Sequence, residues 1–195
     1  MSAHKAASLI SAIFHPLLLP AVAFAFLIIP NETLEPGQKM LLVFVSVLFS
    51  CVLIPAYIFY LKKKGSVDSM DINLREQRMN PLILGITSYF IGFLILSALH
   101  SPNLVQGLMF CYASNTLLVL FITHRWKVSV HATSISGPLV ALTFQFGMVV
   151  LPFYILIPIV ATSRVILKRH TVGQVIVGSL IGLVLTSLQL RYLFL

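Results

Sequence analysis

The sequence predicts an all-α polytopic membrane protein, one membrane domain over 1–195 with six or seven transmembrane helices in a single bundle. Three observations predict it. Hydrophobic residues make up 58% of the chain and charged ones 9%, and the mean hydropathy is +1.00. A soluble domain of this length cannot enclose that much apolar surface, so lipid must cover it. The apolar residues fall into runs of the roughly 20 residues needed to cross a bilayer core. The charges lie between those runs rather than within them.

The runs follow in order. Ala7–Ile29 is the first. Lys5 ahead of it gives it the look of a signal peptide, but the apolar stretch is too long and no small-residue cleavage site closes it. Met40–Leu61 is the second, followed by a polar stretch, Lys62–Asn80. Pro81–Leu99 and Asn103–Thr123 are joined by a short turn at His100–Pro102. After the polar segment His124–His131 comes Thr133–Val150, expected to break near Pro152, with Phe153–Ala161 either extending it or returning as a short sixth run. Thr162–His170 is polar again, and Thr171–Leu193 is the last run. Gly173, Gly178 and Gly182 within it read as small residues for helix packing, and Asn115, Gln106 and Gln145 as makers of interhelical hydrogen bonds. His15 and His100 read as helix-end packing. Cys51 and Cys111 lie in apolar runs, positions suited to neither a disulfide nor a metal site.

The formal net charge is +8. The basic residues sit at the ends of the apolar runs without an aromatic–basic stripe, which points away from nucleic acid and toward anionic lipid heads or a phosphate substrate. With seven spans, Lys5, Lys62, Lys63, Lys64, Arg75, Arg78, Arg125, Lys127, Arg164, Lys168 and Arg169 share one side, and only Lys39 and Arg191 of the 13 lysines and arginines lie on the other. The positive-inside rule assigns the crowded side to the cytoplasm, in a bacterial inner membrane. Lys62–Lys64 reads as a topology anchor.

Three polar segments therefore converge on one face, each with Arg or Lys, and two with a His at a membrane boundary. Ionisable residues at that depth are costly and mark function. The first segment runs Asp71-Ile-Asn-Leu-Arg75-Glu-Gln-Arg78-Met-Asn-Pro81, the second Lys127-Val-Ser129-Val-His131, and the third Ser163-Arg164 through His170 to Gln174. With these residues the chain resembles the type 2 phosphatidic-acid phosphatases, membrane kin of the vanadium haloperoxidases, whose pattern is K-x6-R-P, P-S-G-H and S-R-x5-H-x3-D. Ser163, Arg164 and His170 match the third motif at its spacing. Ser129 and His131 match the second, with Val128 and Val130 in place of Pro and Gly. Arg78 matches the first loosely, with Pro81 nearby and Asp71 where the family has Lys; Arg75, on the same helical face as Arg78, is the substitute cation. Ser136-Gly137 imitates the second motif but is followed by Pro138. The phosphatase-like core covers about 71–193.

The resemblance implies a metal-independent hydrolase without cofactor that cleaves a lipid phosphomonoester or a polyprenyl diphosphate. His170 would attack phosphorus and form a phosphohistidine, and His131 would protonate the leaving oxygen. Arg164, Lys127, Arg78 and Arg75 would hold the phosphoryl oxygens by charge-assisted hydrogen bonds, with Ser129, Ser163 and the Val130 N–H adding donors. Gln174 stands where the family has an Asp. An amide carbonyl orients the nucleophile but brings no charge, so Asp68, Asp71 or Glu76 is the carboxylate to look for. The alternative is a lipid-phosphate binding protein or transporter on the same scaffold. The sequence sets no oligomeric state.

Overall fold

The computed structural model describes residues 2–67, 71–72, 74 and 76–195. Among them the secondary structure is helical throughout. We number the helices α1 (Ala3–Ile13), α2 (Leu19–Ile28), α3 (Pro36–Lys63), α4 (Glu76–Ala98), α5 (Asn103–Thr123), α6 (Val130–Phe146), α7 (Leu156–Ile166) and α8 (Val172–Phe194).

By length and composition five helical stretches can cross a membrane: α3, α4, α5, the continuous run Val130–Ile166 that contains α6 and α7, and α8. The count differs from the six or seven expected, for two physical reasons. The first apolar run is not one helix. His15 and Pro16 break it, leaving α1 and the short apolar α2, since Pro16 cannot donate to the helical ladder. The run Val130–Ile166 is continuous but reverses. A straight helix of its 37 residues would be roughly 55 Å long. Yet the Ser11 hydroxyl touches both His131 near its start and Arg164 near its end. The chain turns through a 3₁₀ stretch, Gly147–Ile155, entered through Gly147 at a φ of 71°. The break thus spans the neighbourhood of Pro152, and Phe153–Ala161 returns toward the polar face.

Inside the bundle, backbone groups must be satisfied without water. A π-turn at Leu48–Val52 in α3 disturbs the regular ladder, and Ser88 of α4 donates to the Phe49 carbonyl there at 2.6 Å. Gly178 and Gly182 of α8 do what the sequence suggests, whereas a Cβ on Gly173 would meet only the Trp126 ring at an ordinary 3.6 Å. A Cβ on Gly178 would lie 2.6 Å from the Ser129 carbonyl, and one on Gly182 2.6 Å from the Thr133 carbonyl, so α8 and α6 are in backbone contact. Asn115 bridges α5 to α8 by donating to Thr186 Oγ1 at 2.9 Å. Gln106 departs from expectation: its amide serves its own turn, donating to the Ser101 carbonyl. Cys51 and Cys111 are free.

Three helices begin at the same place. Glu76–Arg78 opens α4 as a 3₁₀ turn. Ser129 caps α6 by accepting from Ala132 N–H at 3.4 Å. Thr171 caps α8 in a capping box with Gln174. Their aligned dipoles give that end a positive potential before any side chain is counted.

Candidate functional site

The three polar segments meet. Ser129 N–H donates to the Gln174 carbonyl at 3.2 Å, Lys127 Nζ donates to the Arg169 carbonyl at 2.8 Å, and Arg164 Nη2 donates to Asp71 Oδ2 at 2.7 Å. Arg78 ties the first segment to the second: its Nε donates to the Ile72 carbonyl at 2.8 Å and its Nη1 to the Val128 carbonyl at 3.3 Å.

The spacing from Arg164 to His170 has a local cause. After α7 the Lys168 N–H donates to the Val165 carbonyl and the Arg169 N–H to the Arg164 carbonyl, which is a Schellman turn with Lys168 left-handed at a φ of 54°. The turn folds the chain back so that the His170 N–H also reaches the Arg164 carbonyl, at 3.3 Å. Arginine and histidine thereby enter the site from one tight loop.

The tautomer of His170 follows from its neighbours. Gln174 Oε1 lies 3.1 Å from His170 Nδ1 and accepts from Thr171 N–H at 3.2 Å. A backbone N–H only donates, so the amide oxygen faces both groups and Nδ1 must carry the proton. Nε2 keeps its lone pair. Burial, then the cations of Arg78, Lys127 and Arg164, push the His170 pKa down to about 3. The ring is therefore neutral at neutral pH, with Nε2 available as a nucleophile.

His170, His131, Arg78 and Asp71 line one cavity of about 150 Å³. It continues from this charged mouth between the helices, past Ile54 and Leu82, to Tyr112 on α5. Arg164 stands one layer behind. It is 1% exposed, and its Nη1 donates to Ser11 Oγ at 2.5 Å while its Nη2 holds Asp71.

Asp71 is a correction to the sequence reading. Among the described residues it is the site's carboxylate, but it pairs with Arg164 rather than serving His170, where Gln174 occupies the position beside Nδ1. Burial alone would raise the Asp71 pKa; the Arg164 cation and its hydrogen bond, helped by His131 and Arg78, bring it below the ordinary value. Two serines are also placed differently from expectation. Ser129 is fully buried as the α6 cap, and Ser163 donates to the Val160 carbonyl of its own helix at 2.7 Å. Both hydroxyls serve backbone, because a buried helix end and a buried hydroxyl each need a partner. Val130 lines the cavity, at the second-motif position expected to offer a backbone donor. Glu76 is exposed. Arg75 and Asp68 lie outside the described residues. Lys127 stays at the rim, its pKa lowered by burial and then by neighbouring arginines. Lys63 and Lys64 lie over the rings of Phe59 and Tyr60 at 5.4 and 4.7 Å.

Two further residues reach the site from outside the motifs. Ser11 of α1 sits between Arg164 and His131 Nε2, 3.3 Å from the latter. His15 packs edge-on to His131, with ring centroids 5.2 Å apart. Only the Pro16 break hints in the sequence that the first apolar run does more than span. Among the described residues no three His, Cys, Asp or Glu side chains gather in a way that could hold a metal ion. The chain matches no family model, no curated protein and no solved structure.

Proposed function

We propose that the protein dephosphorylates a lipid phosphate or a polyprenyl diphosphate at a membrane surface, as the type 2 phosphatidic-acid phosphatases it resembles do. The observation that carries this reading is His170. Its Nδ1–H is fixed on Gln174, its Nε2 keeps a free lone pair, and it faces a cavity with Arg78 at the mouth and an apolar course behind. A phosphate at the mouth would meet cations and helix N-termini, and its hydrocarbon chain would run inward.

The chemistry balances without a further reactant. His170 Nε2 attacks phosphorus as the P–O bond to the lipid breaks, and His131, which must first take up a proton from solvent, gives that proton to the leaving oxygen. Water then attacks the phosphohistidine, giving its proton back to His131, and the P–N bond breaks to free phosphate and His170. General acid catalysis of this kind contributes about 10²- to 10⁴-fold. The charge distribution favours the cytoplasmic leaflet of a bacterial inner membrane.

The second reading, a binder or transporter of lipid phosphates, is favoured by one observation. Arg164 already holds an anion of the protein's own, Asp71, and Gln174 brings no charge to support His170. Phosphate release from a panel of lipid phosphates and polyprenyl diphosphates separates the two. Release that His170→Ala abolishes, and that Gln174→Asp increases, supports the hydrolase. Tight binding of the same lipids, with no more release than from His170→Ala, supports the binder.

A further inference from the structure

The break at Pro16 makes His15 the anchor of α2. Proline has no N–H, and the N–H groups that follow it at a helix start find no partner inside the helix. Here they turn back to His15. Leu18 and Leu19 N–H donate to its carbonyl at 2.9 and 3.3 Å, and Leu17 N–H donates to its Nδ1 at 3.3 Å. One ring nitrogen therefore holds the side chain against its own backbone.

That bond fixes the tautomer. A backbone N–H only donates, so Nδ1 offers its lone pair and the proton of the neutral ring sits on Nε2. Burial, opposed by Asp71 and aided by Arg164, lowers the His15 pKa, and the ring is neutral at neutral pH. Nε2 is the far tip of this ring. Among the described residues it has no hydrogen-bond partner, yet it is not one of the polar atoms sealed in the interior without one. The tip is therefore accessible. The half-buried ring lines the same cavity as His131, Arg78 and His170, and it packs edge-on to His131 with centroids 5.2 Å apart. An unused N–H thus stands beside the cations of the mouth, where an anion's oxygens would need donors.

We propose that His15 is a further ligand of the substrate phosphate: its Nε2–H donates to a phosphoryl oxygen beside His131, while its Nδ1 holds the start of α2. This rests on the lipid-phosphate reading of the cavity. It brings the first apolar run into direct contact with substrate. The two nitrogens serve different partners, and two substitutions separate them. An asparagine amide oxygen accepts from the N–H two residues on, as Nδ1 does here, but the side chain is too short to reach the tip position. A glutamine amide reaches the tip with an N–H and leaves Leu17 N–H unmet.

The full chain in detergent is tested with dodecyl phosphate as the probe. Binding is read by calorimetry, phosphate release per folded molecule, and stability by the thermal unfolding midpoint. His15→Asn is expected to keep the midpoint and to lose about ten- to hundredfold in affinity and in kcat/KM, the worth of one hydrogen bond to a charged group. His15→Gln is expected to lower the midpoint while staying within about threefold of the wild type toward dodecyl phosphate. A histidine that only anchors α2 predicts no loss of binding in His15→Asn. Binding and release by His15→Asn equal to the wild type would therefore overturn the inference and leave the phosphatase reading standing. Weaker binding by His15→Asn in a protein that releases no phosphate would uphold the inference and overturn the hydrolase. Failure of the wild type to bind dodecyl phosphate would overturn both. Where His15→Gln fails to fold, His15→Asn decides alone, since weaker binding at an unchanged midpoint upholds the inference.

Discussion

At the site end of the bundle, Arg164 is 1% exposed and held by Asp71 and Ser11. At the opposite end, Gly107 lets Leu190 and Phe194 of α8 lie directly on α5, and Phe93, Phe110 and Phe194 pack ring against ring. A Cβ on Gly107 would lie 2.5 Å from Leu190 Cδ2. The first end is held by charge and hydrogen bonds that must all be matched. The second is held by shape alone, since lipid offers no hydrophobic gain for helix association. Tolerance to change therefore differs between them. At the shaped end a misfit costs packing, whereas at the charged end a missing partner leaves a buried ion.

This contrast is tested most severely at Asp71. Asp71→Ala strips the buried Arg164 guanidinium of its counter-charge and should cost about 3–5 kcal/mol in reversible unfolding. The double change Asp71→Leu with Arg164→Met should recover most of that loss. A single change worth under about 1 kcal/mol would mean that water already screens the pair.

Acid is the next probe. His170 is held neutral down to about 3, whereas in the unfolded chain it takes up a proton near its ordinary 6.5. The fold refuses a proton that the unfolded chain accepts, so stability falls as pH drops from 6.5 toward 3, with a slope approaching about 1.4 kcal/mol per pH unit. Asp71, held below its ordinary 3.8, adds its own loss only at the acid end of that window. Subtracting the curve of His170→Gln isolates the histidine. Coincident curves would sink the assignment.

At the shaped end, Gly107→Leu should cost about 1–3 kcal/mol by overpacking. Phosphate release per folded molecule should stay unchanged, because the site lies at the other end of the helices. A changed rate at full folding would show that the two ends are coupled.

The smallest effect is expected at Lys168, the one left-handed residue of the turn between Arg164 and His170. Lys168→Gly relieves that backbone and should stabilise by up to about 1 kcal/mol, read from the unfolding midpoint. Lys168→Val should destabilise instead.

Much of this architecture is legible in residue order. The α5 boundaries, Asn103–Thr123, follow from the apolar run and its flanking turns. So does the convergence of Arg78, Lys127 and Arg164 with the two boundary histidines. The first run misleads because a hydropathy average does not register that a single proline breaks a ladder. The serines mislead because a motif gives a residue's type and spacing, not the direction of its hydroxyl; Ser129 and Ser163 turn to backbone. Gln174 is readable as the partner of His170, but its second task, capping α8 beside Thr171, emerges only with the helix start in place.

Residue order alone shows that apolar helices long enough for a membrane dominate this chain and that its cations fall between the apolar runs. Those depend on composition and on periods of one helix, which are local quantities. It took the packed bundle to reveal that Asp71 belongs to Arg164 and that Ser11 and His15 of the first apolar run reach His131. The pairings join residues dozens of positions apart. Which buried polar group finds which partner is settled by how helices cross, and no local rule of spacing carries that information.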